Sequence, residues 1–217
     1  MDLEEVWRIR EEKIFPEFFG STHRGIFVLD QELFASRFNV VDIDPRWLFY
    51  GVLEFAPTLT RPSWLYVTSG YSNPWDDEPK NYDPAGLSGA GVEFVFATAE
   101  QGDWAVRTLQ NMLAFDLLLC ANRFANGKPL GVGDRVPLRA PLNGDPGCLI
   151  RSLVMVEPED IPDGFALPSG TARFQGFTGA TDAEITFAKE HTSAQLIDAL
   201  RRAGYHPVTD PRRPSLF

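Results

Sequence analysis

Val92-Glu93-Phe94-Val95-Phe96-Ala97-Thr98, with the run from Trp104 to Asn122 that follows it, decides how this chain is read. The first segment is aromatic and β-branched with a two-residue alternation, the pattern of a strand. The second holds Leu109, Met112, Leu113, Phe115, Leu117, Leu118 and Leu119. It is apolar nearly all round and predicts a central helix with little solvent face. Working toward the N-terminus, strands are predicted at 64–69 and 47–55, each dense in aromatic and β-branched residues and bounded by Pro, Gly or Ser. A helix is predicted over 2–15, with Leu3, Val6, Trp7, Ile14 and the stem of Arg10 on one face and Pro16 barring continuation.

Toward the C-terminus, strands are expected at 149–156 and 171–177. Two capping boxes follow, Thr181 with Glu184 and Thr192 with Gln195. The second opens a helix through Leu196, Ile197 and Leu200, closed by Gly204. Strands and helices mix without βαβ alternation, and most strand connections are too short for crossover helices. That combination predicts one α+β domain over 1–217, with a mixed or largely antiparallel sheet packed with helices.

Residues 71–91 hold three prolines and three glycines without usable periodicity. A structureless stretch of that length inside a compact domain is uncommon and is usually functional or disordered. It carries Trp75 and Tyr82 beside Asp76, Asp77, Glu78 and Asp83. Aromatics interleaved with charge suit a binding surface; the competing reading is that the rings pin the loop to the core.

Composition narrows the function classes. With 44% hydrophobic and 23% charged residues in 217, the chain is globular rather than disordered or fibrous. Its apolar runs fall far short of the ~20 residues a membrane span needs. The acidic start Met1-Asp2-Leu3-Glu4-Glu5 lacks the basic and apolar regions of a secretory signal, so a cytoplasmic location is expected. Twenty Lys+Arg against 30 Asp+Glu leave a charge of −10. That balance argues against nucleic acid and favours a basic protein partner through steering.

Catalytic patterns are missing. His23, His191 and His206 form no i,i+4 pair, and Cys120 and Cys148 form no CxxC, so no metal site is expected. Gly89-Ala90-Gly91 precedes a strand rather than a helix, and Gly127-Lys128 is followed by Pro129 where a phosphate loop needs Ser or Thr. No cofactor is expected. Glu93, inside an otherwise apolar strand, is the residue on which a metal-independent hydrolase or transferase would rest, because burial raises a carboxyl pKa. The competing reading puts it on the strand's solvent face or in a hydrogen bond to nearby backbone. Arg201, Arg202, Arg212 and Arg213 cluster near the C-terminus, and Arg212-Arg213 can fork onto carboxylates of a partner or of this chain.

Taken together, several segments resemble the suppressor of fused family. Trp64-Leu65-Tyr66-Val67-Thr68-Ser69-Gly70-Tyr71-Ser72 is similar to its Trp-x-Tyr-hydrophobic-x-x-Gly-Leu-Ser stretch. Gly89-Ala90-Gly91-Val92-Glu93-Phe94-Val95-Phe96 is similar to its Gly-x-Gly-Phe/Val-Glu signature. Trp104, Leu113-Ala114, Phe124 and Gly127 follow the spacing of its central helix and turn, and Val208-Thr209-Asp210-Pro211-Arg212-Arg213 resembles its closing motif. The resemblance runs over 47–217 and leaves 1–45 as a weakly matching N-terminal extension.

The resemblance implies an α+β domain without catalytic activity that binds other proteins, animal relatives gripping an extended peptide of a Hedgehog-pathway transcription factor. Phe124 matches a peptide-contacting position of those relatives. Phe115-Asp116 displaces a tyrosine, and Lys128 replaces an acidic residue, which inverts charge complementarity there. Stand-alone members resemble a bacterial branch proposed as immunity proteins of polymorphic toxin systems. The partner-binding candidates are therefore Trp75, Asp76, Asp77, Tyr82, Asp116, Phe124 and Lys128, with a toxin or an extended peptide as the expected kind of partner.

Overall fold

In the computed structural model, residues 2–125 and 127–217 are described; Asn126, inside the Phe124–Lys128 turn, lies outside them. The chain opens with α1 (Leu3–Ile9), capped by the Asp2 carboxylate on the Glu5 N–H. The helix predicted to stop before Pro16 runs on as α2 (Phe15–Phe19), through one π-helical turn at Arg10–Ile14 in which the Phe15 N–H reaches the Arg10 carbonyl. Pro16 then falls at the start of the resumed helix, where a missing N–H is harmless. The same wide turn directs Arg10 inward, leaving it 1% exposed.

Next come β1 (Thr22–Val28) and α3 (Gln31–Phe38), which no sequence pattern announced. The strand predicted over 47–55 is divided. Asp44 caps a 3-10 helix at Pro45–Phe49, and only Gly51–Phe55 is strand β2. After β3 (Trp64–Ser69), β4 (Leu87–Thr98) starts earlier than expected, taking in the end of the 71–91 segment. Helix α4 (Asp103–Cys120) is the central helix. Then follow β5 (Arg135–Pro137), β6 (Ile150–Val156), β7 (Gly164–Leu167) and β8 (Gly170–Thr181). Helices α5 (Asp182–Glu190) and α6 (Ser193–Arg202) close the order. The Thr181–Glu184 capping box forms in both directions, whereas Thr192 caps α6 through the Gln195 N–H.

The strands make one sheet in the order β1-β2-β3-β4-β8-β6-β5, with β7 beside β8. Strands β4 and β8 pair in parallel, Phe94 opposite Gln175 and Phe96 opposite Phe177. The other strand pairings among the described residues are antiparallel, so the fold is α+β with a mixed sheet.

Alternation along the strands sends Val52, Tyr66, Phe94 and Phe96 toward α4, in one core with Leu109, Leu113 and Met155. It sends Leu53, Phe55, Leu65, Val67 and Val95 to the other face, where Val6, Phe15 and Phe19 of the N-terminal helices cover them. Every residue of β2 is buried; Glu54 is paired with Arg24 at 2.7 Å, and the rest of the strand is apolar or glycine. Residues ahead of the 47–217 resemblance thus supply both the lid on one face and the edge strand. A third cluster seats α5 and α6 on β6 and β8 through Val154, Ala188, Leu196 and Leu200.

Candidate functional site

The 71–91 segment is fixed at its root by a buried polar knot. Glu93, fully buried, accepts hydrogen bonds from the Thr68 hydroxyl (2.6 Å), the Gly70 N–H (3.0 Å), and both the N–H (2.9 Å) and hydroxyl (2.6 Å) of Ser72. Arg10 enters from the π-helical turn and donates to the Ser69 and Ser72 hydroxyls and to Asn73 Oδ1 at 2.7 Å, lying 3.8 Å from the Glu93 carboxylate. Burying such charges is unfavourable unless their lone pairs and protons are met, and here they are. Glu93 therefore ties strand β4 to the chain reversal at Ser69–Ser72. It is not on a solvent face, and its oxygens are already engaged.

The Gly89-Ala90-Gly91 motif serves the same root. Gly89 (φ +57°) lies so close to the loop that a Cβ would stand 2.4 Å from the Asn73 carbonyl, and the neighbouring Ala90 N–H bonds the Tyr71 carbonyl at 2.8 Å. Only glycine tolerates both the left-handed backbone and the contact. Gly89 and Ala90 thus join the loop's two ends, while Gly91 (φ +69°) packs against Leu87.

From that root rises an aromatic rim. Trp75, half-buried, stacks near Tyr50 (6.5 Å between ring centroids) and lies 5.8 Å from Phe49 and 6.0 Å from Trp7. Phe49 is 57% exposed. Beside it Arg46 bridges Asp44 (2.6 Å) and Asp76 (2.7 Å), and its hydrogen bonds hold the Asp44 carboxyl below the usual value against the opposing effect of burial. Burial pushes the Tyr50 hydroxyl up to about 12, so it stays protonated at physiological pH. A cavity of about 280 Å³ lies among Arg46, Trp47, Tyr50, Asn73, Trp75 and Asp76, with Asp77 on its margin. The ring of Trp75 thus pins the loop to the core, and it also lines this cavity.

The other candidates separate. Tyr82 packs on the opposite face of the sheet with the N-terminal helix cluster. Asp116 does not face solvent. It is 4% exposed on α4, accepting from the Tyr71 hydroxyl (2.5 Å) and the Leu130 N–H (2.6 Å). Its position presents no charge to a partner; it shapes the rim from beneath by holding Tyr71. Burial raises its carboxyl above the usual range despite those bonds, and raises the Cys120 thiol nearby. Phe124 is half-buried against Phe115 (5.6 Å), and Lys128 is exposed with its ammonium 3.9 Å from Asp134. Structure therefore groups Trp75, Asp76 and Asp77 in one rim and places Phe124 and Lys128 past the end of α4.

Three rim residues escaped the sequence reading: Trp7, Arg46 and Phe49. The Asp44-Pro45 pair, a cap followed by proline at the first helical position, was the available signal that Trp47–Phe49 turns rather than extends. Among the described residues no group of three or more His, Cys, Asp or Glu stands placed to hold a metal ion.

A mixed sheet covered on both faces, with a preformed aromatic and ionic rim where a loop is knotted to a strand, defines the class: an α+β domain whose ordered surface feature is a rim. The chain belongs to the suppressor of fused family, whose description, Suppressor of fused protein (SUFU), matches residues 48–214. Among solved structures it is similar to Drosophila Suppressor of Fused (21% identity, TM-score 0.59), covering 77% of this chain but only 42% of that one. It is also similar to a chain of the Sufu–Fu complex crystal structure (17%, TM-score 0.66, covering 99% and 92%). A third likeness is to a SUFU homologue from Neisseria gonorrhoeae FA 1090 (16%, TM-score 0.61, covering 99% and 97%). At these identities the likeness is one of fold. No curated protein sequence matches the chain.

Proposed function

We propose that this chain is a non-catalytic protein-binding domain of the bacterial immunity type, acting in the cytoplasm by masking a toxin. The observation that carries the reading is the rim: an exposed Phe49 backed by Trp75 and Trp7 and flanked by the Arg46–Asp76 pair. Large aromatic side chains with an arginine alongside are the composition of binding hot spots. Glu93 and Arg10 hydrogen-bond the root of the rim in the free chain, and preorganisation of that kind lowers the entropic cost of association. Support also comes from a fold neighbour crystallised as the Sufu–Fu complex. The hydrolase reading of Glu93 is weakened by the four donors already on its oxygens.

The test is hydrogen exchange on the chain alone and with the protein that co-purifies from its native host. Protection confined to Pro45–Phe49 and the 71–91 segment supports the rim; protection that leaves both segments unchanged rejects it. The immunity role is checked separately, by co-expressing the chain with a toxin encoded beside it. Restored growth is expected, and continued killing removes the toxin from the proposal while leaving the binding surface to the exchange experiment.

A further inference from the structure

On the outer side of α4 lies a second surface that shares no lining residue with the rim. Trp104, Arg107, Asn111 and Phe115 recur at three- and four-residue steps, so they form one stripe along the helix. Arg37 of α3 borders it and donates to the Leu138 carbonyl across the groove at 3.0 Å. Two adjoining hollows of about 250 and 320 Å³ share Arg37 and Asn111. One adds Arg107 with Trp104 and Leu138, the other Arg139 with Phe38 and Phe115. No Asp or Glu lines either hollow, in a chain whose formal charge is −10. Arg107 and Arg139 have neither an ion-pair nor a side-chain hydrogen-bond partner among the described residues. Arg139 is also held at φ +65°, uncommon for a residue with a Cβ, between backbone bonds from Leu138 to Arg151 and from Leu142 to Ile150.

From this we infer that the α3–α4–β5 groove docks an acidic polypeptide segment that carries aromatic or branched apolar side chains. The three guanidinium groups ask for carboxylates, which arginine forks onto with defined geometry. The apolar floor between them asks for side chains that a nucleic acid lacks, and the overall negative charge repels a long polyanion. Local charge thus selects the opposite partner chemistry from the one net charge favours. This goes beyond the rim and holds whether or not the rim's partner is a toxin.

The experiment is fluorescence anisotropy with three labelled probes: a twelve-residue peptide alternating Glu with Phe and Leu, its Lys-for-Glu counterpart, and a single-stranded oligodeoxynucleotide. The acidic peptide should bind at least tenfold more tightly than either other probe, and more weakly as salt is raised. The pair Arg107→Glu and Arg139→Glu should remove that preference. The exposed pair Lys189→Glu and Arg202→Glu, which changes net charge equally, should keep it within about twofold, separating a local site from a global field. Both doubles sit on exposed side chains, so a thermal melt should show them folded. Equal or tighter binding of the oligonucleotide or the lysine peptide, or an acidic-peptide preference that survives the Arg107/Arg139 reversal, overturns the inference.

Discussion

Asp116 and Glu184 are both carboxylates with almost no solvent exposure, yet they live in opposite electrostatic settings. Glu184 receives two charge-assisted bonds from Arg213 (2.6 and 2.7 Å) and backbone N–H groups of Thr181 and Leu216. Burial pushes its pKa up, but those bonds outweigh the burial and the carboxyl sits below its ordinary 4.5. Asp116 is held by neutral donors, the Tyr71 hydroxyl, the Leu130 N–H and the Cys120 thiol, and burial wins: its carboxyl lies above the ordinary 3.8. The C-terminal segment is thus fastened by an ion pair, whereas the end of the molecule beneath the rim carries a carboxylate its surroundings oppose. The framework end accommodates its buried carboxylate with an ion pair, and the end beneath the rim with neutral donors alone.

Breaking the framework side should have the largest effect. Arg213→Met strands Glu184 as an unpaired buried charge and should lower stability by about 3–5 kcal/mol, read as a shift in the urea midpoint with unchanged slope. A loss under about 1 kcal/mol would mean that water reaches Glu184. Next comes the knot: Glu93→Gln replaces one acceptor oxygen by a donor facing the Thr68 hydroxyl and should cost about 1–3 kcal/mol. Faster hydrogen exchange at the Gly70 and Ser72 amides should accompany it; unchanged exchange there would show that Glu93 does not hold the reversal. Asp116→Asn should fall within about 1 kcal/mol, because the amide keeps an acceptor for Leu130 and offers a donor to Tyr71.

Acid should divide the two carboxylates further. Glu184, lowered in the folded state, contributes stability that is present above pH 4.5 and lost as pH falls through its folded pKa. Asp116, raised, favours the fold below pH 3.8 and loses that contribution as pH rises through its folded pKa. Urea titrations across the acid range should therefore show a shallower acid limb for Glu184→Gln and a steeper one for Asp116→Asn. The same change of slope in both variants would refute the assigned directions.

The comparison also explains what the sequence could disclose. Strands β3, β4, β6 and β8 were legible because each carries closely spaced aromatic or branched apolar residues that the covered faces of the sheet bury. Strand β1 was not: His23, Arg24 and Gly25 are exposed on an edge that has no alternation to read. Of the two alternatives for Arg212-Arg213, a partner's carboxylates or this chain's, the contacts formed are with this chain: Arg213 with Glu184, and Arg212 with Asp210 (3.3 Å) and Glu100 (3.4 Å). Trp75, Asp76 and Asp77 were visible as charged and aromatic residues in an aperiodic loop. The burial of Asp116 was hidden because it depends on Tyr71, 45 residues away in sequence. Arg10 was read by its stem alone, since nothing local announces the π-helical turn that sends its guanidinium inside.

Phe49→Ala tests the central claim most directly, because the ring is half in solvent and its removal should lower stability by no more than about 1 kcal/mol. Calorimetric titration of the protein recovered with this chain from its native host should then show a binding loss of at least about 2 kcal/mol, roughly thirtyfold in Kd, with the melting temperature nearly unchanged. Affinity that stays at the wild-type value in a folded Phe49→Ala variant would contradict the account.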